Sequence, residues 1–145
     1  MIKNFDKRRI VACSYDLRLG EIFKYKKTDK IIDISKQKPE LTKLKLPYVL
    51  KPGEHIVGRT MEEIEMPMDL MGVCYPRGHA YRIGINVLAS ITPPGFKGQL
   101  VFSMQNISQN KIKIDRDFNL LQIAFYELKG DPIPFEATYT GGKLL

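Results

Sequence analysis

The chain holds two cysteines, Cys13 and Cys74, and two histidines, His55 and His79, and these are the first residues to test for chemistry. A zinc centre that activates water for base deamination needs a His-x-Glu and a Pro-Cys-x-x-Cys, so that an imidazole and two thiolates hold the metal. Here the cysteines stand alone, 61 positions apart, and that mechanism is excluded on ligand count. Cys74 and a distant histidine could form a nucleophile pair. The cysteine closes the run Leu70-Met71-Gly72-Val73-Cys74, however, which reads as a buried strand, and a buried structural thiol is the expectation. There is no Gly-x-x-x-x-Gly-Lys-Ser/Thr phosphate cradle and no Gly-x-Ser-x-Gly elbow. No protein-bound metal or cofactor is expected.

The remaining chemistry must come from charge. The 145 residues carry a net charge of +7. Residues 1–51 hold 14 Lys and Arg against 6 Asp and Glu, whereas residues 52–145 hold 9 against 10, so all the excess lies in the first third. Lys24, Lys26, Lys27, Lys30, Lys36, Lys38, Lys43 and Lys45 alternate with acids and polar residues there, the spacing of a solvated loop more than of a polyanion footprint. Phe23-Lys24-Tyr25-Lys26-Lys27 interleaves aromatics with lysines as single-strand binders do, and equally as a half-buried edge strand does. Nucleic-acid binding is the less favoured of these readings.

The elements that position these residues are strands. Short apolar or alternating runs occur at Ile10–Cys13, Leu17–Phe23, Tyr48–Leu50, His55–Val57, Leu70–Cys74, Ile85–Leu88, Leu100–Met104, Lys111–Ile114 and Leu120–Leu128. Turn residues such as Lys51-Pro52-Gly53 and Pro93-Pro94-Gly95 separate them. His79–Arg82 is the best helical segment, one turn long, and residues 26–46 read as a long excursion with little core. The pattern predicts an all-β fold, a sandwich, jelly roll or barrel, in one domain over 1–145. No apolar run approaches the ~20 residues of a membrane span. Met1–Arg9 is charged, unlike a secretory leader, and two cysteines suit a reducing compartment, so a cytoplasmic protein is expected.

Three stretches, in order, resemble the dCTP deaminase and dUTPase superfamily, closest to its deaminase branch. Ser14-Tyr15-Asp16-Leu17-Arg18-Leu19-Gly20 is similar to the family's Ser-x-Asp-Leu-Arg-Leu-Gly. Leu50-Lys51-Pro52-Gly53-Glu54 and the segment from Thr60 to Gly72, with Met66-Pro67-Met68-Asp69-Leu70, match its second stretch. Arg77-Gly78-His79-Ala80-Tyr81-Arg82-Ile83-Gly84, then Pro94-Gly95-Phe96-Lys97-Gly98, Asn106 and Leu121-Gln122-Ile123-Ala124-Phe125, follow its third. The resemblance implies a distorted jelly roll (a dUTPase-like β-clip) and a homotrimer with sites at subunit boundaries. It further implies a deoxynucleoside triphosphate, dCTP or dUTP, as ligand, with Mg²⁺ accompanying the triphosphate. By this comparison the chain is shorter than a typical deaminase at both ends.

Carried over residue by residue, the resemblance gives Arg77 to phosphate binding and Arg82 to support of the reacting base. Where the family has serines between them, this chain has Gly78, which offers only its N–H, and His79, which donates to a phosphate, acts as a base, or is a partly exposed turn histidine. Val101, Gln122 and Tyr139 fall at further nucleotide-binding positions, Tyr139 within Tyr139-Thr140-Gly141-Gly142, a weak echo of the family's tail. Deamination without a metal requires a group that deprotonates water and protonates the departing amine. The family's glutamate for this falls at Ser103, and the aspartate of the dUTPase branch falls at Pro93. The expectation is a dCTP deaminase-like protein, weakly active or inactive. A dUTPase-like pyrophosphatase and a non-catalytic trimer that binds nucleotide or a partner are the alternatives.

Overall fold

The computed structural model describes residues 1–33, 35, 38–116, 118–133 and 144. Its strands run in chain order as β1 (Ile2–Lys3), β2 (Ile10–Val11), β3 (Ser14–Leu17), β4 (Leu19–Tyr25), β5 (Leu41–Leu44), β6 (Tyr48–Leu50) and β7 (His55–Glu65). They continue as β8 (Leu70–Pro76), β9 (Ile85–Leu88), β10 (Ile91–Thr92), β11 (Lys97–Asn106), β12 (Ile112–Ile114) and β13 (Leu121–Glu127), with a single-turn helix α1 (Gly78–Arg82) after β8. One sheet has the order β5-β4-β7-β11-β9, with β1 added on β7; a second has the order β10-β8-β13-β3-β2; β12 and β6 form a third. Every pairing is antiparallel. The architecture is a distorted jelly roll, with side chains from all three sheets in one apolar cluster: Leu17 and Ile123 from the second sheet, Ile22, Ile56 and Met104 from the first, Leu50 and Ile114 from the third.

Period-2 alternation explains which side chains face that cluster. On β11 the inward positions Leu100, Phe102, Met104 and Asn106 are buried, while Val101, Ser103 and Gln105 are half-buried on the outer face. β7 is far longer than His55–Val57, the stretch readable from sequence, because its inward positions include Gly58, Thr60 and Glu62, which interrupt the apolar pattern. Gly58 is small for a reason: a Cβ there would lie 2.6 Å from the Phe102 ring. Thr60 Oγ1 donates to the Glu62 carbonyl at 2.8 Å and accepts from the Leu100 N–H at 2.9 Å, so its hydroxyl is satisfied inside.

Glu62 is fully buried and faces Arg18, the one residue between β3 in the second sheet and β4 in the first. Arg18 donates its N–H to Glu62 Oε2 at 2.8 Å and its Nε–H to Oε1 at 2.7 Å. Both carboxylate oxygens are thereby occupied at the point where the chain crosses between sheets, which satisfies a charge that could not otherwise be buried.

Two expectations need correction. Phe23 and Tyr25 do not lie on an edge: β5 pairs with β4 on one side and β7 on the other, so β4 is internal. Residues 26–46 are not wholly irregular, since Leu41–Leu44 forms that outer strand. Three lysines in and beside this region are held in ion pairs. Lys24 pairs with Glu54, Lys26 with Glu40 at 2.9 Å, and Lys43 with Glu21.

Candidate functional site

The outer face of the second sheet gathers charge by register. Asp16 on β3 pairs with Gln122 on β13, and Gln122 pairs with Tyr75 on β8, so their side chains share one face. Arg77 follows β8 directly, tied down by its N–H to the Leu120 carbonyl at 2.9 Å. Its Nη1 donates to Gln122 Oε1 at 3.1 Å, and the same oxygen accepts from Ser14 Oγ at 2.8 Å. The Arg77 Nε lies 3.3 Å from Asp16 Oδ1, an ion pair without a hydrogen bond between those two atoms. Asn119 Nδ2 donates to Asp16 Oδ2 at 3.2 Å, and Arg9 Nη1 donates to Asn119 Oδ1 at 2.5 Å.

Asp16, 4% exposed, is thus a buried carboxylate neutralised by Arg77 and oriented by Asn119. A buried carboxylate matched to a guanidinium is a positioning group: it fixes the fork's direction and leaves the outer edge of the half-buried Arg77 toward solvent. Asp16, Asn119, Ser14 and Arg9 carried no site expectation, although Ser14 and Asp16 lie in the first matching stretch. Their hydrogen-bond partners are more than 100 residues away in the chain, and no local spacing reveals that.

The remaining residues of the motif sit on α1 and the turn after it. Arg82, in the last turn, is exposed. His79 is half-buried with its ring edge-on to Phe118, centroids 4.8 Å apart at 70°, the arrangement of a packed turn histidine. Gly78 has ordinary backbone geometry, and a Cβ there would meet nothing closer than the Tyr81 hydroxyl at 3.6 Å, so a serine would fit. Pro93 sits in the turn before β11, where its carbonyl accepts from the Phe96 N–H at 3.2 Å.

Ser103 and Val101 stand elsewhere, on the outer face of the first sheet. They line an open concavity of about 280 Å³ together with Tyr25, Val57, Leu88 and Ser90. None of the described residues lining it is acidic. Tyr25 is stacked on His55, ring centroids 5.9 Å apart and 2° from parallel. Among the described residues, no hydrogen bond or ion pair joins this face to Arg77, His79 or Arg82. The structure therefore brings Arg77 to Gln122 and Val101 to Ser103, and leaves the two pairs on different sheets; Tyr139 lies outside the described residues.

Cys74 is partly buried where its run predicts a buried thiol, and its desolvation against the core pushes the thiol up to about 12, with a hydrogen bond to Thr92 opposing the shift. Among the described residues no three His, Cys, Asp or Glu side chains gather as a metal site, and no helix is long and apolar enough to cross a membrane.

Residues 1–128 match the family model described as dCTP deaminase-like. The chain is 32% identical over 142 residues to a dUMP-forming dCTP deaminase of Dictyoglomus turgidum, covering 91% of this chain and 72% of that one. It is 28% identical over 145 residues to a deoxyuridine 5'-triphosphate nucleotidohydrolase of Methanocaldococcus jannaschii, covering 95% and 91%. Among solved structures, the 2'-deoxycytidine 5'-triphosphate deaminase from Agrobacterium tumefaciens superposes with a TM-score of 0.67 at 22% identity, over 86% of this chain but only 43% of that one. The dUTPase of Staphylococcus bacteriophage 80alpha, solved with dUPNHPP, superposes with a TM-score of 0.59 at 13% identity, over 100% and 95%. The distorted jelly roll is the fold that these solved structures share with this chain, which sets a half-buried Arg77, oriented by Asp16 and Gln122, on its outer face. This chain belongs to the dCTP deaminase-like family, within the dCTP deaminase and dUTPase superfamily.

Proposed function

We propose that this protein binds a deoxynucleoside triphosphate with its Mg²⁺ and deaminates dCTP slowly or not at all. Arg77 would take phosphate oxygens through the edge of its fork left free by Asp16 and Gln122. Arg82, exposed at the end of α1, would reach the base or its phosphates. The observation that carries the reading is Ser103: it stands where the family's glutamate is expected, in a concavity whose described lining has no acid. A neutral hydroxyl cannot shuttle the protons of deamination, a role worth about 10²–10⁴-fold in rate. Among the described residues the carboxylate beside the clamp is Asp16, which is buried and already matched by Arg77, and this suits it to hold that arginine and not to activate water.

The separation of Arg77 and Arg82 from Ser103 favours a homotrimer, in which a second copy would face one group toward the other across a subunit boundary. Hydrolysis at the α-phosphate would also need a carboxylate, and Pro93, where the resemblance puts it, supplies none. A cytoplasmic setting, where nucleotide pools lie, fits this reading.

The test is thermal unfolding with dCTP or dUTP and Mg²⁺. A ligand at about 100 times its Kd adds ~2.7 kcal/mol, a rise of roughly 5–10 °C for a chain of this size. Arg77→Ala should abolish the rise, and Arg82→Ala, at an exposed position where the fold is not at stake, should reduce it. No rise in the unaltered protein refutes nucleotide binding. A clear rise with an oligonucleotide in its place would favour a nucleic-acid partner.

A further inference from the structure

A further concavity is lined by none of Arg77, His79, Arg82 and Ser103. It measures about 430 Å³ and is lined by Gly20, Glu21, Lys43, Lys45, Gln99 and Arg116, among others. Its origin is a pair of irregularities that meet at Thr60. The register of β4 on β7 shifts between Leu19 and Glu21, and that of β11 on β7 shifts between Gln99 and Val101. Such bulges break the flat face of a sheet and re-aim side chains. Gly20 lets the backbones approach: a Cβ there would stand 2.8 Å from the Thr60 carbonyl oxygen. That carbonyl is taken by Gln99 Nε2 at 2.7 Å, which fixes the Gln99 side chain in the hollow.

The charge of the hollow is one-sided. Among the described residues that line it Glu21 is the one acid, and Lys43 and Arg59 both bind that carboxylate. Lys45 and Arg116 are exposed and, among the described residues, neither has an ion-pair partner. Two cations on different chain segments, one after β5 and one after β12, thus converge on a space that holds a small molecule, with Lys43 beside them.

We infer that this hollow is a second anion site, which takes a phosphate or pyrophosphate group through Lys45 and Arg116. Arg116 offers a planar fork and Lys45 a point charge, a pairing suited to a di- or polyanion more than to a monocarboxylate. The site uses neither Arg77 nor Ser103, so it stands or falls independently of the nucleotide reading. Its phosphate could arrive as the free anion or as part of a nucleotide.

The experiment is calorimetric titration with inorganic phosphate, inorganic pyrophosphate and dCTP at 0.15 M salt. The proteins are the unaltered chain, a Lys45→Glu/Arg116→Glu variant and an Arg82→Ala variant. All three altered residues are exposed, and melting without ligand checks each fold. Pyrophosphate should fill a site in both the unaltered protein and Arg82→Ala that the double variant weakens at least tenfold, and any binding left in the double variant belongs to the Arg77 clamp. Pyrophosphate as tight as dCTP at this site identifies the free anion as its ligand; a tighter dCTP signal that the double variant also loses identifies a nucleotide. Pyrophosphate binding of unchanged affinity and stoichiometry in the double variant, or a pyrophosphate signal that Arg82→Ala removes altogether, overturns the assignment, as does no binding at millimolar concentrations.

Discussion

Replacing Glu62 by Gln tests the crossover between the two large sheets. The Glu62 side chain is fully buried, and its two oxygens accept from the Arg18 N–H at 2.8 Å and the Arg18 Nε–H at 2.7 Å. Glutamine keeps one acceptor and turns an NH₂ toward the other donor, so one hydrogen bond is lost, donors face each other, and the Arg18 charge is left unmatched. Removing one partner of a buried pair costs about 3–5 kcal/mol. The Arg18 side chain is 21% exposed, which lets water recover part of that cost, and the low end, about 3 kcal/mol, is the expectation. At roughly 2–4 °C per kcal/mol, the melting temperature should fall by about 6–12 °C. Circular dichroism through a thermal ramp and a urea titration reads it. Arg18→Met, which strands the carboxylate instead, should cost at least as much. A loss below about 1 kcal/mol for both variants would show that water solvates the pair, and the reasoning would fail.

Other expectations are simpler. At pH 8 a thiol reagent should modify exposed Cys13 quickly and leave Cys74, whose thiol is pushed up to about 12, unreacted until denaturant is added; two fast thiols would contradict the packing of β8. Hydrogen bonds from Arg8 pull the Asp6 carboxyl down to about 2, and Lys43 and Arg59 hold Glu21 below its usual 4.5. Their stabilisation is complete above the ordinary carboxyl values and is lost as the pH falls through the depressed ones, so melting temperature should decline from about pH 4.5 downward and be flat from there to neutrality. Gly20→Ala, whose Cβ would meet backbone, should cost about 1–3 kcal/mol, whereas Gly78→Ser should stay within ~0.5 kcal/mol; equal effects in the two would refute the glycine geometry.

Much of the fold was legible in local pattern. Tyr48–Leu50 and Ile85–Leu88 are strands with the bounds that their residue types indicated, and α1 begins one residue earlier than His79–Arg82. β7 was legible only at its start, because the polar inward residues Thr60 and Glu62 are satisfied by partners on β11 and at Arg18 that sequence does not reveal. β5 was hidden for the opposite reason: it is short and its pairing to β4 spans a long lysine-rich connection. At the site, Arg77 and Gln122 were identifiable by family likeness, and the structure joins them at 3.1 Å. Asp16 and Asn119 entered only through the register of β3 against β13, since a cross-sheet network over 100 residues apart has no signature in spacing.

The proposed nucleotide clamp lacks a proton shuttle, and turnover is the sharpest test of that proposal. Purified protein supplied with dCTP or dUTP and Mg²⁺ should release ammonia and pyrophosphate at or near the uncatalysed rate while the nucleotide still raises its melting temperature. Robust release of either product would show that a carboxylate reaches the Ser103 face, from this chain or a second copy, and would contradict it.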